Sequence, residues 1–303
     1  MRARRKGQYR LQTLEVSTPK EHRLRHDGVE ICWFEWGDPG GPEVVLVHAT
    51  GFHARCWDRV VARLPAHAHV WAVDMRGHGR SQKQPPYRWD VLAGDLEAGL
   101  ESLGVQHAVG VGHSAGGHCM AQLAPRTGDL FKSLILIDPV IFEPARYEAN
   151  ETFYTSVDEH PVARRRELFA DWHAMHDRFA DRHPYTLWRP EIFEDYCRYG
   201  VAPDPSGDGV RLCCPARVEA SVYMNNFTTD PHVGLKDIHQ PVTILRAPPS
   251  DHEDPSFDFA ASPTWPELAS YLPNATDVYL EDLTHFIPMQ APELVAHYIE
   301  RSL

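Results

Sequence analysis

The sequence has no apolar run near the ~20 residues that a helix needs to cross a bilayer, so it is read as soluble with no membrane partner. It also has no C-x-x-C pair. Its six cysteines, Cys32, Cys56, Cys119, Cys197, Cys213 and Cys214, are scattered, which fits neither a disulfide framework nor a zinc site and makes a reducing cytoplasm the expected compartment. Positive charge is scarce as well: 30 basic against 42 acidic residues give a formal net charge of -12, which argues against nonspecific nucleic-acid binding, since that depends on clustered cations. A basic N-terminal cluster, Arg2, Arg4, Arg5, Lys6 and Arg10, precedes Leu11-Gln12-Thr13-Leu14-Glu15, too mixed and short for the apolar core of an export signal. Residues 1–20 therefore read as a mobile tail. There are no internal repeats and no low-complexity segment of consequence.

What the chain does have is length and apolar content: 303 residues, 43% hydrophobic, enough for one large α/β domain or one domain carrying an insertion. Asp27-Gly28 joins two strand patterns as a hairpin dipeptide. Val44-Val45-Leu46-Val47, Val70-Trp71-Ala72-Val73 and Leu134-Ile135-Leu136-Ile137 are unbroken apolar runs, the pattern of strands buried on both faces of a parallel sheet. Between them Tyr87 to Leu103 carries apolar residues at helical spacing and ends at Gly104, a helix C-cap. Such alternation implies a mostly parallel sheet with helices on both faces, and a site built from loops at the carboxyl ends of its strands.

One stretch stands out. In Val109-Gly110-Val111-Gly112-His113-Ser114-Ala115-Gly116-Gly117 a strand pattern passes into a helix pattern through a serine flanked by glycines. A sharp turn there would push the Ser114 hydroxyl outward and bring strand and helix too close for side chains two positions to either side. From about Val140 the alternation is lost. Residues 140–236, rich in aromatics and histidine, read as a helical insertion, with a helical pattern drawn over Val162 to Arg182. Strand patterns return at 241–246 and 277–280, and Pro292 opens a terminal helix.

These residues resemble the α/β-hydrolase family, in particular members with a helical cap inserted after the sixth strand. His48-Ala49-Thr50-Gly51, Asp74-Met75-Arg76-Gly77-His78-Gly79-Arg80-Ser81 and Thr284-His285-Phe286-Ile287-Pro288-Met289 are similar to three of its loops, in the family's order. The resemblance implies a core of residues 21–139 and 237–303 around the insertion. It implies a Ser-His-Asp triad: Ser114 as nucleophile, His285 as base, and Asp251 as acid, with Asp138 the alternative and Asp254 a third candidate. A serine hydroxyl needs a neutral imidazole to take its proton, and that imidazole needs a carboxylate to orient it. For the oxyanion hole the resemblance points to the amides of Ala115 and Thr50, with Phe52 as a further possibility. Asp74 and Arg76 read as loop anchors.

The expected activity is hydrolysis of a carboxylic ester or lactone of a small, largely apolar compound, without metal or cofactor. The acids at 251–254 lack the glycine and spacing of a calcium loop. Cleavage of carbon–carbon bonds in ring-cleavage products, and a non-catalytic small-molecule receptor on the same fold, are the alternatives. A homodimer is left open.

Overall fold

The structure, a computed structural model, describes residues 17–149, 154–250 and 259–303. The basic residues Arg2 to Arg10 and the acidic run from Asp251 to Asp254 lie outside the described residues, whereas Lys20, counted with the expected tail, is the first residue of a strand.

The first half builds most of the sheet: β1 (Lys20–His26), β2 (Val29–Gly37), β3 (Glu43–Val47), helix α1 (Asp58–Val61), β4 (His69–Asp74), α2 (Trp89–Leu103), β5 (Ala108–His113), α3 (Ala115–Leu123) and β6 (Phe131–Ile137). The inserted segment contributes α4 (Pro144–Glu148), β7 (Leu168–Phe169), α5 (Trp172–Phe179), α6 (Pro190–Tyr199), β8 (Val201–Pro203), β9 (Val210–Leu212), α7 (Ala216–Met224) and α8 (His232–Leu235). The chain then returns with β10 (Val242–Arg246), β11 (Ala275–Tyr279), α9 (Ile287–Gln290) and α10 (Pro292–Glu300). Eight strands form one sheet in the order β1-β2-β4-β3-β5-β6-β10-β11, parallel except for the β1–β2 and β2–β4 pairs.

Alternate residues along each central strand go to opposite faces, and both faces are covered. Ile31, Trp33, Val45 and Val47 pack with α2 and α3 in one core, while Cys32, Phe34, Val44 and Leu46 pack with Trp57, Val295 and Ile299 in the other. This is why the strands show no polar alternation. Along α2, Trp89, Leu92, Ala93, Leu96 and Leu100 are buried at helical spacing, and Gly104 closes it in the left-handed conformation.

The inserted segment differs from the purely helical reading. Its three short strands form an antiparallel sheet, β7-β9-β8, and the helical pattern drawn from Val162 to Arg182 is broken by β7, so that α5 begins only at Trp172. Strands of two or three residues are too short for period-2 patterning to register, and the run Arg164-Arg165-Arg166-Glu167 offers a helix no apolar face.

Candidate active site

Ser114 sits between the last residue of β5 and the first of α3 with φ 57 and ψ -118, a conformation that costs a non-glycine residue about 1–3 kcal/mol. The glycines around it allow the approach of strand to helix. A Cβ on Gly112 would lie 2.5 Å from the carbonyl oxygen of Gly116, and one on Gly116 would lie 2.4 Å from that of Val47. The turn is fastened by the Ser114 amide donating to Ile137 of β6 (3.0 Å) and by the Ser114 carbonyl accepting from His118 (3.1 Å) and Val140 (3.2 Å).

Because β3, β5, β6, β10 and β11 are neighbours in the sheet, the loops leaving their carboxyl ends converge. His285, in the loop after β11, places Nε2 3.0 Å from Ser114 Oγ and Nδ1 2.6 Å from Asp138 Oδ2. A carboxylate oxygen only accepts, so the Nδ1 proton of His285 faces Asp138 and Nε2 is left bare to receive the serine proton. His113 braces the arrangement from below: its Nε2–H donates to the His285 carbonyl at 2.8 Å.

The carboxylate that meets His285 among the described residues is Asp138, the alternative acid; Asp251, the first choice, and Asp254 lie outside the described residues. Asp138 follows β6 directly, with φ 44, and its amide donates to Leu245 on β10 (2.7 Å), which turns the side chain toward the site. Its other oxygen, Oδ1, accepts from the Ala247 amide (3.0 Å) and the Ser262 hydroxyl (2.6 Å). Burial alone would raise the pKa of this fully enclosed carboxyl. The hydrogen bond and charge of His285, with the bonds from Ser262 and Ala247, more than offset that and hold it below the ordinary aspartate value. Ser262 and the His113 brace went unseen in the sequence, the first for want of any local motif and the second although His113 stands inside the glycine–serine turn.

The residues expected to supply the oxyanion-hole amides, Ala115 and Thr50, both lie beside Ser114. Ala115 opens α3, where the helix dipole adds to its N–H. Thr50 lines the same cavity as Ser114. The Phe52 amide, by contrast, is committed to the Ala49 carbonyl at 3.1 Å. The Thr50 loop is pinned by His48, whose Nδ1–H donates to Ala49 (2.7 Å) while its bare Nε2 accepts from the Met75 amide (3.0 Å). Asp74 accepts from the amides of Ala54 and Arg80, and Arg76 forms a buried two-bond pair with Asp95, so both are loop anchors.

Ser114, 6% exposed, opens into a cavity of about 540 Å³. Phe52 from the core loop meets Trp188 and Tyr196 of the inserted segment with ring centres 5.4 Å apart in each case, and Phe286 at 6.2 Å. Tyr185, Phe179 and Phe142 add to the apolar walls. Among the described residues no group of three or more His, Cys, Asp or Glu is arranged to hold a metal ion, and no helix is long and apolar enough to cross a membrane.

Four histidines beneath the site are buried and neutral. Burial pulls His48, His78 and His113 down to about 3 and His118 to about 4. In His78, His113 and His118 one nitrogen serves a backbone carbonyl and the other is buried without a partner among the described residues, so an imidazolium could not be satisfied there. Their folded pKa values lie below the unfolded 6.5, so below about pH 6.5 the unfolded chain binds protons that the folded chain refuses. Stability is therefore expected to fall as pH drops from 6.5 toward 4, by up to about 1.4 kcal/mol per pH unit for each histidine. Urea midpoints at pH 7 and pH 5 check this, and equal midpoints would contradict it.

Residues 44–298 match the alpha/beta hydrolase family. The chain belongs to that family. This alpha/beta hydrolase is 35% identical to the non-heme chloroperoxidase of Streptomyces lividans over 284 residues, which cover 89% of this chain and 94% of the other. It is also 35% identical to lipase LipV of Mycobacterium tuberculosis, but over 106 residues that cover 35% of this chain and only 40% of that relative. The crystal structure of E-2-(acetamidomethylene)succinate hydrolase superposes with a TM-score of 0.75 at 22% identity, covering 93% of this hydrolase and 98% of that chain, a likeness of fold.

Proposed function

We propose that this hydrolase cleaves a carboxylic ester or lactone through an acyl-enzyme on Ser114. Ser114 Oγ attacks the acyl carbon as its proton passes to His285 Nε2. Asp138 stabilises the imidazolium without itself taking the proton. The carbonyl oxygen becomes an oxyanion and is received by the amides of Ala115 and Thr50. Collapse breaks the bond to the leaving oxygen, which takes the proton from His285. A water molecule then attacks the acyl-enzyme, with His285 again accepting and returning a proton, and the acid product leaves.

The observation that carries this reading is the unbroken hydrogen-bonded order Ser114–His285–Asp138 at the wall of a cavity. The lipase among the relatives supports ester chemistry over the segment it shares. Six unpaired cysteines fit the proposed reducing cytoplasm. A fluorophosphonate probe is expected to label the protein at Ser114, and Ser114→Ala to lose both labelling and turnover of p-nitrophenyl esters. Full turnover in the unlabelled variant would refute the proposal. Including lactones in the same panel of substrates separates the two bond types.

A further inference from the structure

Five arginines line the cavity that Ser114 opens into: Arg164, Arg165 and Arg166 from the chain before β7, Arg178 from α5, and Arg182 just after it. The one acidic side chain among the described lining residues is Glu219, which is buried and accepts a 2.5 Å hydrogen bond from Arg165. That acid is already matched. Arg164, Arg166, Arg178 and Arg182 have no carboxylate partner among the described residues, whereas Arg55, Arg59, Arg76, Arg189, Arg211 and Arg246 are all paired with Asp or Glu. Of the acids near them in sequence, Asp171 caps α5 through the Ala174 amide (2.8 Å), Asp177 faces His176 (3.5 Å) and Glu167 serves Arg211 and the Ala216 amide, while the exposed Asp181 beside Arg182 forms no ion pair among the described residues. Arg164 and Arg166 donate to the backbone carbonyls of Asp158 (3.4 Å) and Leu168 (2.7 Å), but four guanidinium groups around one opening with no carboxylate to neutralise them are unexpected on a chain of net charge -12.

These four arginines are exposed while Ser114 is buried, so they stand where the cavity meets solvent and the serine stands at its inner end. The rings of Phe52, Phe179, Tyr185 and Trp188 line the same cavity. A ligand filling this space meets a nucleophile at one end, apolar walls, and cations at the outer end. We propose that the substrate is an acyl compound carrying a carboxylate or phosphate away from its scissile bond, received by Arg164, Arg166, Arg178 and Arg182. The proposal rests on the hydrolase reading and narrows its substrate class from apolar to amphipathic and anionic. A single exposed ion pair contributes little. Several guanidiniums converging on one anion offer two-bond contacts and a focused potential that raises the local anion concentration.

The test compares two p-nitrophenyl esters of equal length, the mono-p-nitrophenyl ester of adipic acid and its methyl ester, which differ in the distal charge. The ionised ester is expected to have at least about tenfold higher kcat/KM at low ionic strength, a preference that shrinks with added salt. In Arg178→Gln/Arg182→Gln the ratio of the two kcat/KM values is expected to drop toward one. Both esters report the same Ser114 chemistry, so the ratio is insensitive to general damage. An unchanged ratio in that variant, or a preference for the methyl ester, overturns the proposal. So does a preference that emerges only in Asp251→Asn/Glu253→Gln/Asp254→Asn, because the arginines would then be answering acids of their own chain. Binding of the non-cleavable adipic acid mono-anilide, followed by calorimetry, separates this proposal from the hydrolase reading. Salt-sensitive binding lost in the double arginine variant, with no ester turned over, upholds the anion site and sinks the hydrolase; no binding and no preference sinks the anion site.

Discussion

Asp138→Asn is expected to lower kcat for ester hydrolysis by about 10⁴-fold, roughly 5 kcal/mol of transition-state stabilisation, while Asp251→Asn stays within about twofold of the parent enzyme. The asymmetry follows from the hydrogen bonds around Asp138. Its Oδ1 accepts from the Ala247 amide and the Ser262 hydroxyl, so an asparagine would place its only oxygen there and turn its NH2 toward His285. The imidazole could then meet that NH2 only with a bare Nδ1. Its proton would move to Nε2, the atom that must accept from Ser114. The geometry would survive and the base would be lost. Steady-state kinetics of the two variants decides the matter, and a larger loss from Asp251→Asn would transfer the acid to the later strand.

The second large effect is on stability. Gly112→Ala is expected to cost at least about 4 kcal/mol, because the added methyl group would meet the Gly116 carbonyl and the Gly117 amide, both backbone, at 2.5 and 2.6 Å. No rotamer relieves such a contact. Strand and helix would have to separate, distorting the turn that holds Ser114. At roughly 2 °C per kcal/mol for a chain of this size, the melting temperature would fall by about 8 °C. Gly94→Ala supplies the control: it lies within α2 with nothing within 4 Å of the added carbon, so it should stabilise by about 0.4–1 kcal/mol. Thermal melts of the pair check both signs, and equal melting temperatures would show that the close approach at Gly112 is not under strain.

Much of this molecule could be read in the sequence because its core strands are buried on both faces. Val44 to Val47 and Leu134 to Ile137 are apolar without interruption, and Gly112 is dictated by backbone contacts only a few residues away, at Gly116 and Gly117. His285 was legible for a similar reason, since it occupies the loop between β11 and α9. The acid was not. Asp138 and Asp251 both follow strands of the same sheet, and what favours Asp138 is a hydroxyl 124 residues further along the chain, Ser262, together with the Ala247 amide. Partners so remote leave no local pattern. The antiparallel sheet β7-β9-β8 was missed because its strands are shorter than a detectable period. Residues 1–16 of the expected tail and the 251–254 run fall outside the described residues, while Lys20, its last residue, opens β1.

Phe52 makes the inserted segment and the reacting groups less separable than their positions in the chain suggest. It stands two residues from Thr50 and presses against Trp188 and Tyr196 of the insertion. A graft that brought in a foreign insertion to alter selectivity would therefore also remove the support on which that loop rests. Laboratory recombination of such segments should succeed most often where the donor brings rings able to meet position 52, and natural divergence of the insertion is under the same constraint.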